Sequence, residues 1–481
     1  MRLSELLPDL DLVQVTGDVA TDVRRVVRDH REVAADAVFV AIRGGRVDGH
    51  DLVPGLQAGA VVAERAVPGF AGPVVIVRDS RAALGPIAAA LHGHPTAALP
   101  VLGVTGTKGK TTVTALIEGA LGALGRVGGR IGTLGSFVGG RTIPSALTTP
   151  EAHDLQALFA TMRDAGAEAV AVEVSSIGLV QHRLAGTRVH TAAFTNLGHD
   201  HLDFHGTMEA YLAAKALLFR EPLLRPAGGM PRALLAFDDP ATQALGAPAD
   251  AWNFGFGSGA DLRIEGLVTS PRGLRATLGT PMGPIAVDSP LVGRHNAQNL
   301  ACAAGMLLTL GLTPDDVAAG LAAVPGVAGR LEVVPSADRL VVVDYAHTPE
   351  SLEAVLNALR DLPGRGDVWV LFGCGGDRDA GKRPVMGEVA TRLADHVVVT
   401  SDNPRSEPPA AIVAAIVAGC PRAPAIVEVD RKAAIEAVLA ASRPGDVVLL
   451  AGKGHETYQE IAGVRIPFDD RVVARAAMEG R

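Results

Sequence analysis

Cysteine is scarce in this chain: Cys302, Cys374 and Cys420 are the only three in 481 residues. Three scattered thiols make neither a disulfide framework nor a zinc site, so the fold must rest on an ordinary core in a reducing compartment. Long apolar runs are lacking as well, and none approaches the roughly 18 residues of a membrane helix. The opening MRLSELLPDLDLV has acidic residues where a secretory signal would place its apolar centre, so a cytoplasmic protein with no membrane insertion is expected. Charge of one sign does not accumulate: the formal net charge is -8, and the one basic cluster, VRRVVRDHR at Val23, reads as a solvated face. Nucleic acid is therefore not an expected partner. Short-period repeats and low-complexity segments are absent. With 48% hydrophobic and 20% charged residues, 56 Gly and 31 Pro, the composition is that of an α/β enzyme with many short connections.

Lysine is the next scarcity. Of 44 Lys plus Arg, only Lys108, Lys110, Lys215, Lys382, Lys432 and Lys453 are lysines. Basic surface is made with arginine, so lysines kept where arginine would serve draw attention. All but Lys432 fall inside the motifs below.

What the chain does have is concentrated first in residues 99–112, LPVLGVTGTKGKTT. An apolar, strand-like run enters a turn made of Gly106, Thr107, Lys108 and Gly109, and the helix-compatible TVTALIEGALGAL follows. Backbone N–H groups of such a turn close around phosphate oxygens. Lys110 reaches the terminal phosphates, and the hydroxyl of Thr111 or Thr112 can ligate Mg²⁺ at the positive end of the helix. ATP or GTP is the expected cosubstrate. The first glycine of the strict G-x-x-x-x-G-K-[ST] pattern would fall at Val104, and Gly103 and Gly106 flank it instead.

Residues 1–98 mix short apolar runs (AVFVAIRG, AGAVVAER, GPVVIVRD) with helical stretches and end at HPTAALP. Residues 99–330 alternate strands and helices as a parallel sheet does, with antiparallel strands expected between about 260 and 290 at the turns Pro-Arg-Gly and Gly-Thr-Pro. From 331 to 481, RLVVVDY, VWVLFG, HVVVTSD, AIVEVD and DVVLLAGKG, each separated by a helical segment, predict a second doubly wound unit. The expectation is an α/β protein of three domains: 1–98, 99–330 and 331–481.

Further strings converge on one family: TTPEAHDLQ, EVSSIGLVQHR, TNLGHDHLDFHGTMEAYLAAKALLF, DYAHTPESL, GCGGDRDAGKRPVMG, SDNPRSE and GKGHETYQ. In this order they resemble the Mur ligases, and among them the UDP-N-acetylmuramoyl-tripeptide synthetases. The resemblance implies a mixed α/β N-terminal domain, a central P-loop ATPase sheet and a C-terminal Rossmann-like domain. It implies an ATP- and Mg²⁺-dependent ligase of peptidoglycan synthesis that adds a diamino acid to UDP-N-acetylmuramoyl-L-alanyl-D-glutamate, and a monomer is expected. A carboxylate is a poor acyl donor, so ATP would first phosphorylate it, after which the amine attacks through a tetrahedral oxyanion. Charge stabilisation and positioning then do most of the catalysis.

By the same resemblance, Lys110, Glu173, His201 and Lys215 are catalytic. Thr111 or Thr112 and Glu173 hold the Mg²⁺ on the ATP phosphates, and His201 a second Mg²⁺. Lys215 matches the lysine that the family carbamylates, although AYLAAKALLF alone would read as a helix-surface lysine. Asn299, Arg330 and Asp344 resemble ATP contacts. Thr148, Thr149, Ser175, Gln181 and Arg183 match contacts to the nucleotide-sugar peptide, and Arg28, His30 and Arg46 fall in the matching segment of the first domain. Asp402, Asn403, Pro404 and Arg405 match the form associated with meso-diaminopimelate, with Arg378, Gly452 and Glu456 completing the set. A forked guanidinium at Arg405 suits the distal carboxylate of that acceptor, and Glu456 its ammonium. L-lysine or L-ornithine would leave Arg405 without that partner.

Four positions depart from the family pattern. Lys108 stands where Asn is usual, Ile177 where His is, His199 where Arg is, and His30 where Ser is. Lys108 is expected to contact a terminal phosphate or a carboxylate of the sugar peptide. Two other readings fit fewer residues: an amide ligase resembling folylpolyglutamate synthase, and a P-loop binding protein that has lost catalysis.

Overall fold

The computed structural model describes residues 1–479 except Arg46, Ala146, Glu221, Pro222 and 225–228. Backbone contacts divide the chain into two units: Met1–Arg263, Gly279–Gly283 and Ala301–Gly320 form one, and Ile264–Leu278, Pro284–Leu300 and the chain from Leu321 onward form the other.

The first unit opens with a five-stranded sheet in the order Leu12–Thr16, Val74–Val77, Ala60–Ala63, Ala37–Val40, Arg25–Val27. Its first strand is antiparallel to its neighbour and the others run parallel. The apolar runs AVFV and AVVA are buried along their whole length. That is what strands covered on both faces require. Alternate residues serve opposite cores: Val38, Val40, Val62 and Val75 pack with Leu84 and Ile87 of the helix Ser80–Leu91, while Phe39, Val61 and Ala63 face the other way. Asp79 caps that helix by accepting from the Ala82 N–H at 2.9 Å. Gly85 is required within it, because a Cβ there would lie 2.0 Å from the Ala185 carbonyl oxygen. The helix is thereby set directly against the turn carrying Gln181 and Arg183.

The same unit contains six parallel strands in the order Gly128–Gly132, Ala169–Glu173, Val101–Thr105, Thr191–Phe194, Ala233–Ala236, Trp252–Gly255. Gly135–Val138 and Arg141–Ile143 extend one edge antiparallel. The expected phosphate turn follows the C-terminal end of Val101–Thr105, between the strands ending at Glu173 and Phe194. In parallel α/β sheets, ligands bind at such ends.

Leu262–Ser270, Gly273–Gly279 and Ile285–Ser289 are successive neighbours, the last two antiparallel, where the turn signals at Pro-Arg-Gly and Gly-Thr-Pro put such strands. The second unit also holds a six-stranded sheet ordered Glu332–Val334, Leu340–Asp344, Val447–Ala451, Val368–Phe372, His396–Val399, Ile426–Val427. All but the first strand run parallel. Its faces are closed by two separate cores, one around Leu352, Leu356, Phe372 and Ile416, the other around Ile435, Val438, Leu450 and Trp369. A hairpin, Tyr458–Ile461 with Val464–Pro467, follows the last parallel strand. Among the described residues no helix is long and apolar enough to cross a membrane.

Candidate active site

The phosphate turn of the first unit has the backbone its glycines allow: φ is +145° at Gly106 and +89° at Gly109, values closed to most side chains. A Cβ on Gly106 would fall 1.9 Å from Thr195 Oγ1. Asn196 braces the turn from the neighbouring strand end. Its Oδ1 accepts from the Lys108 N–H at 2.9 Å, its Nδ2 donates to the Lys108 carbonyl at 3.0 Å, and its carbonyl accepts from the Thr107 N–H at 2.9 Å. The Lys110 ammonium folds over the turn and donates to the carbonyls of Gly106 and Thr107 at 2.8 and 2.9 Å. The helix Lys110–Ala123 starts immediately after Gly109, presenting its N-terminal N–H groups to the same place.

Of the two candidate threonines, Thr111 makes the informative contact. Its hydroxyl donates to Glu173 Oε2 at 2.9 Å. Glu173 is buried and also accepts from the Thr133 N–H at 2.9 Å and the Thr133 hydroxyl at 3.1 Å. A Cβ on Gly132 would strike Glu173 Oε1 at 2.1 Å, so that glycine makes room for the carboxylate. A hydroxyl and a carboxylate at the mouth of a phosphate turn form the hard oxygen donor set that Mg²⁺ favours. The residues present fit that ion.

Lys215 is not on the surface. It is 1% exposed on the helix Met208–Ala216, with Nζ 4.2 Å from the centre of the Tyr211 ring. Burial first, and the nearby Lys110 charge second, hold its pKa well below the ordinary lysine value. Depression of the pKa makes the uncharged, nucleophilic form of the amine easier to reach than on an exposed lysine. Tyr211 was not singled out by the sequence, although its spacing four residues before Lys215 puts both on one helix face. Its hydroxyl lies 3.3 Å from Thr107 Oγ1, and its ring centre 6.2 Å from that of His201. His201 is half exposed and left-handed, at φ +52°. Lys215 and His201 thus both flank Tyr211.

The expected sugar-peptide contacts gather beside Glu173. Thr149 Oγ1 donates to the Glu173 carbonyl at 2.8 Å and accepts from the Ser175 N–H at 3.0 Å. Thr148 Oγ1 lies 3.1 Å from Thr133 Oγ1. Ser175 caps the helix Ser176–Val180, while Arg183 donates to the Thr149 carbonyl at 2.8 Å and to Gln181 Oε1 at 2.7 Å. Two residues outside the expected set, Glu151 and Arg81, join here: Glu151 Oε1 is 3.3 Å from Arg183 and 3.9 Å from Arg28, and its Oε2 is 3.5 Å from Arg81. His30 is exposed, with its ring 3.7 Å from Asp29. Arg46 lies outside the described residues. Of the other departures, Lys108 and His199 are exposed and Ile177 is half-buried.

In the second unit the functional strings follow the C-terminal ends of four parallel strands: Asp344 at Leu340–Asp344, Arg378 after Val368–Phe372, Asp402–Asn403–Pro404–Arg405 after His396–Val399, and Gly452 to Glu456 after Val447–Ala451. Asp344 is buried and accepts from the Leu331 N–H at 2.8 Å, and the Arg330 guanidinium lies 5.2 Å from the centre of the Tyr345 ring. Asn299 lies within the helix Arg294–Thr309 and donates to Asn296 Oδ1 at 2.8 Å. Arg405 is left-handed, at φ +52°. Its backbone is pinned to the hairpin through the Glu460 carbonyl at 3.0 Å, and its Nη1 donates to the Gly376 carbonyl at 2.7 Å. Such strain in a non-glycine residue clusters at ligand sites. Arg378 is exposed on the loop that also supplies Asp377, whose carboxylate accepts from the Ser406 N–H at 3.1 Å. Gly452, at φ +109°, leaves room for Asp402, whose Oδ2 would lie 2.4 Å from a Cβ. Burial raises the Asp402 pKa, and the Arg431 and Lys453 charges oppose that rise.

Lys453, fully buried, is the residue here whose role the sequence left open. It donates to Asn403 Oδ1 and Glu456 Oε2, both at 3.1 Å. Asn403 Nδ2 in turn donates to Glu456 Oε2 at 2.8 Å. Two expected acceptor contacts are locked to one ammonium.

Comparison with known proteins agrees with this geometry. Residues 104–307 match the Mur ligase middle domain, and residues 329–454 the Mur ligase glutamate ligase domain. The chain is 44% identical over 491 aligned positions to a protein of Gloeobacter violaceus named UDP-N-acetylmuramoyl-L-alanyl-D-glutamate--2,6-diaminopimelate ligase, covering 100% of this chain and 99% of that protein. It is likewise 44% identical, over 100% of both chains, to a protein of the same name from Geobacillus kaustophilus. A solved structure of a ligase of that name superimposes with a TM-score of 0.73 at 33% identity, covering 100% of this chain and 99% of the other. A Mycobacterium tuberculosis folylpolyglutamate synthase complexed with ADP and AMPPCP shares the fold alone, at a TM-score of 0.61 and 22% identity over 76% of this chain and 91% of the other. The motifs, the sheet-end geometry and these full-length matches lead to one conclusion: the chain belongs to the Mur ligase family.

Proposed function

We propose that this protein is an ATP-dependent ligase that joins a diamino acid, meso-diaminopimelate, to UDP-N-acetylmuramoyl-L-alanyl-D-glutamate in peptidoglycan synthesis, acting as a cytoplasmic monomer with domains 1–98, 99–330 and 331–481. The observation that carries this reading is the meeting, in one unit, of a phosphate turn, the Thr111–Glu173 oxygen pair and a buried amine at Lys215 whose pKa burial depresses. Full-length identity of 44% to ligases of that name supports it.

The dipeptide carboxylate attacks the γ-phosphorus of ATP, giving an acyl phosphate and ADP. The acceptor amine then adds to the acyl carbon, and collapse of the tetrahedral oxyanion expels phosphate as the nitrogen loses its proton. Gly106 to Thr112 cradle the ATP phosphates, Lys110 neutralises their charge, and Asn299, Arg330 and Asp344 contact the nucleotide. Thr111 and Glu173 would hold Mg²⁺, with His201 and Lys215 beside a second ion; bound there, the metal supplies charge stabilisation on phosphate oxygens. Addition of CO₂ to the neutral Lys215 amine forms an N–C bond and releases one proton, leaving a carbamate whose oxygens suit Mg²⁺ where an ammonium would repel it. Arg28, His30, Arg46, Thr148, Thr149, Ser175, Gln181 and Arg183 bind the nucleotide-sugar peptide. Arg378, Asp402, Asn403, Pro404, Arg405, Gly452 and Glu456 receive the acceptor.

The test is ATP-dependent phosphate release with UDP-N-acetylmuramoyl-L-alanyl-D-glutamate and, separately, meso-diaminopimelate, L-lysine and L-ornithine, the products identified by mass. Preference for diaminopimelate is expected, because lysine leaves a charged guanidinium at Arg405 without its partner, worth about tenfold or more in selectivity. Preference for lysine or ornithine would retain the reaction and overturn the acceptor. No phosphate release with any of the three would overturn the reaction.

A further inference from the structure

Glu151 is an unusual buried carboxylate. It is 7% exposed at the head of the helix Ala152–Asp164, and three guanidiniums surround it, from Arg28, Arg81 and Arg183, at 3.9, 3.5 and 3.3 Å. These separations are longer than well-formed charged hydrogen bonds, which fall near 2.8 Å. Meanwhile buried donors in this cluster lack a well-formed hydrogen bond: Arg183 Nε has no partner, and Arg81 Nη1 has none beyond its 3.5 Å ion pair with Glu151 Oε2. Buried donors without partners cost stability, so a native protein keeps them where something else completes them. Three cations against one anion also leave two positive charges over. The residues come from distant parts of the chain, and two of the three arginines stand on anchored backbone. Gly85 packs its helix, which carries Arg81, onto the Ala185 backbone, and Arg183 is anchored by the Thr149 carbonyl and Gln181.

We propose that Arg81 is a further binding residue for the UDP-sugar-peptide, taking an anionic group of it, phosphate or carboxylate, together with Arg28 and Arg183, and that Glu151 is the resident counter-ion that keeps the three guanidiniums gathered. The inference rests on the reading of this site as the one for the nucleotide-sugar peptide. It assigns to the helix Ser80–Leu91 a direct part in substrate recognition. Glu151 lowers the repulsion among the arginines without saturating their donors, so the site is assembled before the ligand arrives.

Isothermal titration of UDP-N-acetylmuramoyl-L-alanyl-D-glutamate, without ATP, into the full-length wild type, Arg81→Met, Arg81→Lys and the double variant Arg81→Met/Glu151→Gln tests this. Arg81→Met is expected to weaken binding about tenfold to a hundredfold, as loss of a charged hydrogen bond does, Arg81→Lys to recover part of it, and the double variant to stay weak even where its urea midpoint returns to that of the wild type. If Arg81 merely neutralised Glu151, the double variant would bind like the wild type, and the proposal would be overturned. Binding of Arg81→Met within twofold of the wild type would overturn it equally. A wild type that does not bind the ligand at all would instead overturn the reading of the site, and this inference with it. Repeating the titration with UDP-N-acetylglucosamine, which carries the diphosphate and no carboxylate, separates the two anion sources: equal weakening assigns the diphosphate, and weakening confined to the dipeptide-bearing ligand assigns a peptide carboxylate.

Discussion

Replacing Lys453 by Met removes one positive charge from a fully buried position. The side chain is 0% exposed, and its ammonium bridges Asn403 Oδ1 and Glu456 Oε2 at 3.1 Å each. Met fills similar volume, so the change is chiefly electrostatic. Each lost charged hydrogen bond is worth roughly 1.5 to 3 kcal/mol. Breaking a wholly buried pair costs about 3 to 5 kcal/mol, but the Glu456 side chain remains 17% exposed and is partly solvated. A net loss of about 2 to 4 kcal/mol in stability follows. Asn403 keeps its bond from the Glu460 N–H at 3.0 Å, so the loop persists while the Glu456 carboxylate is left with the Asn403 Nδ2 donor and no ammonium. The expected kinetic signature is a rise of about tenfold to a hundredfold in KM for the diamino acid, with KM for ATP and for the nucleotide-sugar peptide unchanged. Urea unfolding and phosphate-release kinetics with each substrate varied in turn measure both effects. A destabilised variant whose three KM values all match the wild type would refute the argument, because Lys453 would then serve the core and not the acceptor site.

Three other outcomes are expected. Wild-type phosphate release should fall in buffers stripped of CO₂ and return with bicarbonate, whereas Lys215→Met should stay at least about a hundredfold low with or without it; a wild type indifferent to CO₂ removal would exclude a carbamate. Arg431 and Asp470 are both 0% exposed and paired at 2.7 Å, so either single replacement by Met or Leu should cost about 3 to 5 kcal/mol, and the double Arg431→Met/Asp470→Leu far less; a double variant no more stable than the singles in urea would refute that. His455 is held at a pKa of about 4, below its ordinary 6.5, first by burial and then by the Arg330 and Arg471 charges. The unfolded chain therefore takes up a proton as the pH falls through 6.5 and the native chain does not until about 4, so stability should drop between pH 7 and pH 5 by about 1 kcal/mol after allowance for solvent screening. His455→Gln should flatten that slope in urea titrations, and an unchanged slope would assign it to other groups.

What the sequence made legible is what is encoded locally. The phosphate turn could be read because left-handed backbone at Gly106 and Gly109 demands glycine, and the strands could be read because buried parallel strands are nearly continuous apolar runs such as AVFV and VVLLA. Residues at strand ends, including Glu173, Asp344 and Asp402, sit next to those runs and were found with them. Burial of Lys215 was not legible in AYLAAKALLF, because the helix Met208–Ala216 has a weak apolar face and it is packing from elsewhere in the fold that encloses the ammonium. The Glu151 cluster escaped for a different reason. Arg28 and Arg183 were among the expected site residues, but Arg81, which the close approach of Gly85 to Ala185 sets beside Arg183, looks alone like a surface charge, and Glu151 like a helix end. Lys453 was noticed as one of few lysines, yet its partners stand 50 residues back and 3 residues forward, a geometry that no local pattern announces.

The charges buried in the second unit explain why this site is built from ions at all. Arg431 donates to the Ser401 carbonyl at 3.2 Å and to the Ala451 carbonyl at 2.9 Å, while Asp470 holds its other face. Ser401 immediately precedes Asp402, and Ala451 immediately precedes Gly452, so one guanidinium ties together the roots of the two loops that carry the proposed acceptor contacts. An apolar pair in place of Arg431 and Asp470 would fill that space at far smaller cost than either single replacement, but it has no direction and would leave both carbonyls without a donor. The planar fork of arginine fixes two strand ends at set angles. Lys453 repeats the device one layer out, where it fixes Asn403 against Glu456. A doubly charged acceptor is best told from a singly charged one by groups that cannot swing to compensate for a missing partner. Buried ion pairs behind the loops provide that rigidity, and Arg405 and Glu456, in the acceptor roles proposed for them, extend from loops anchored in this way.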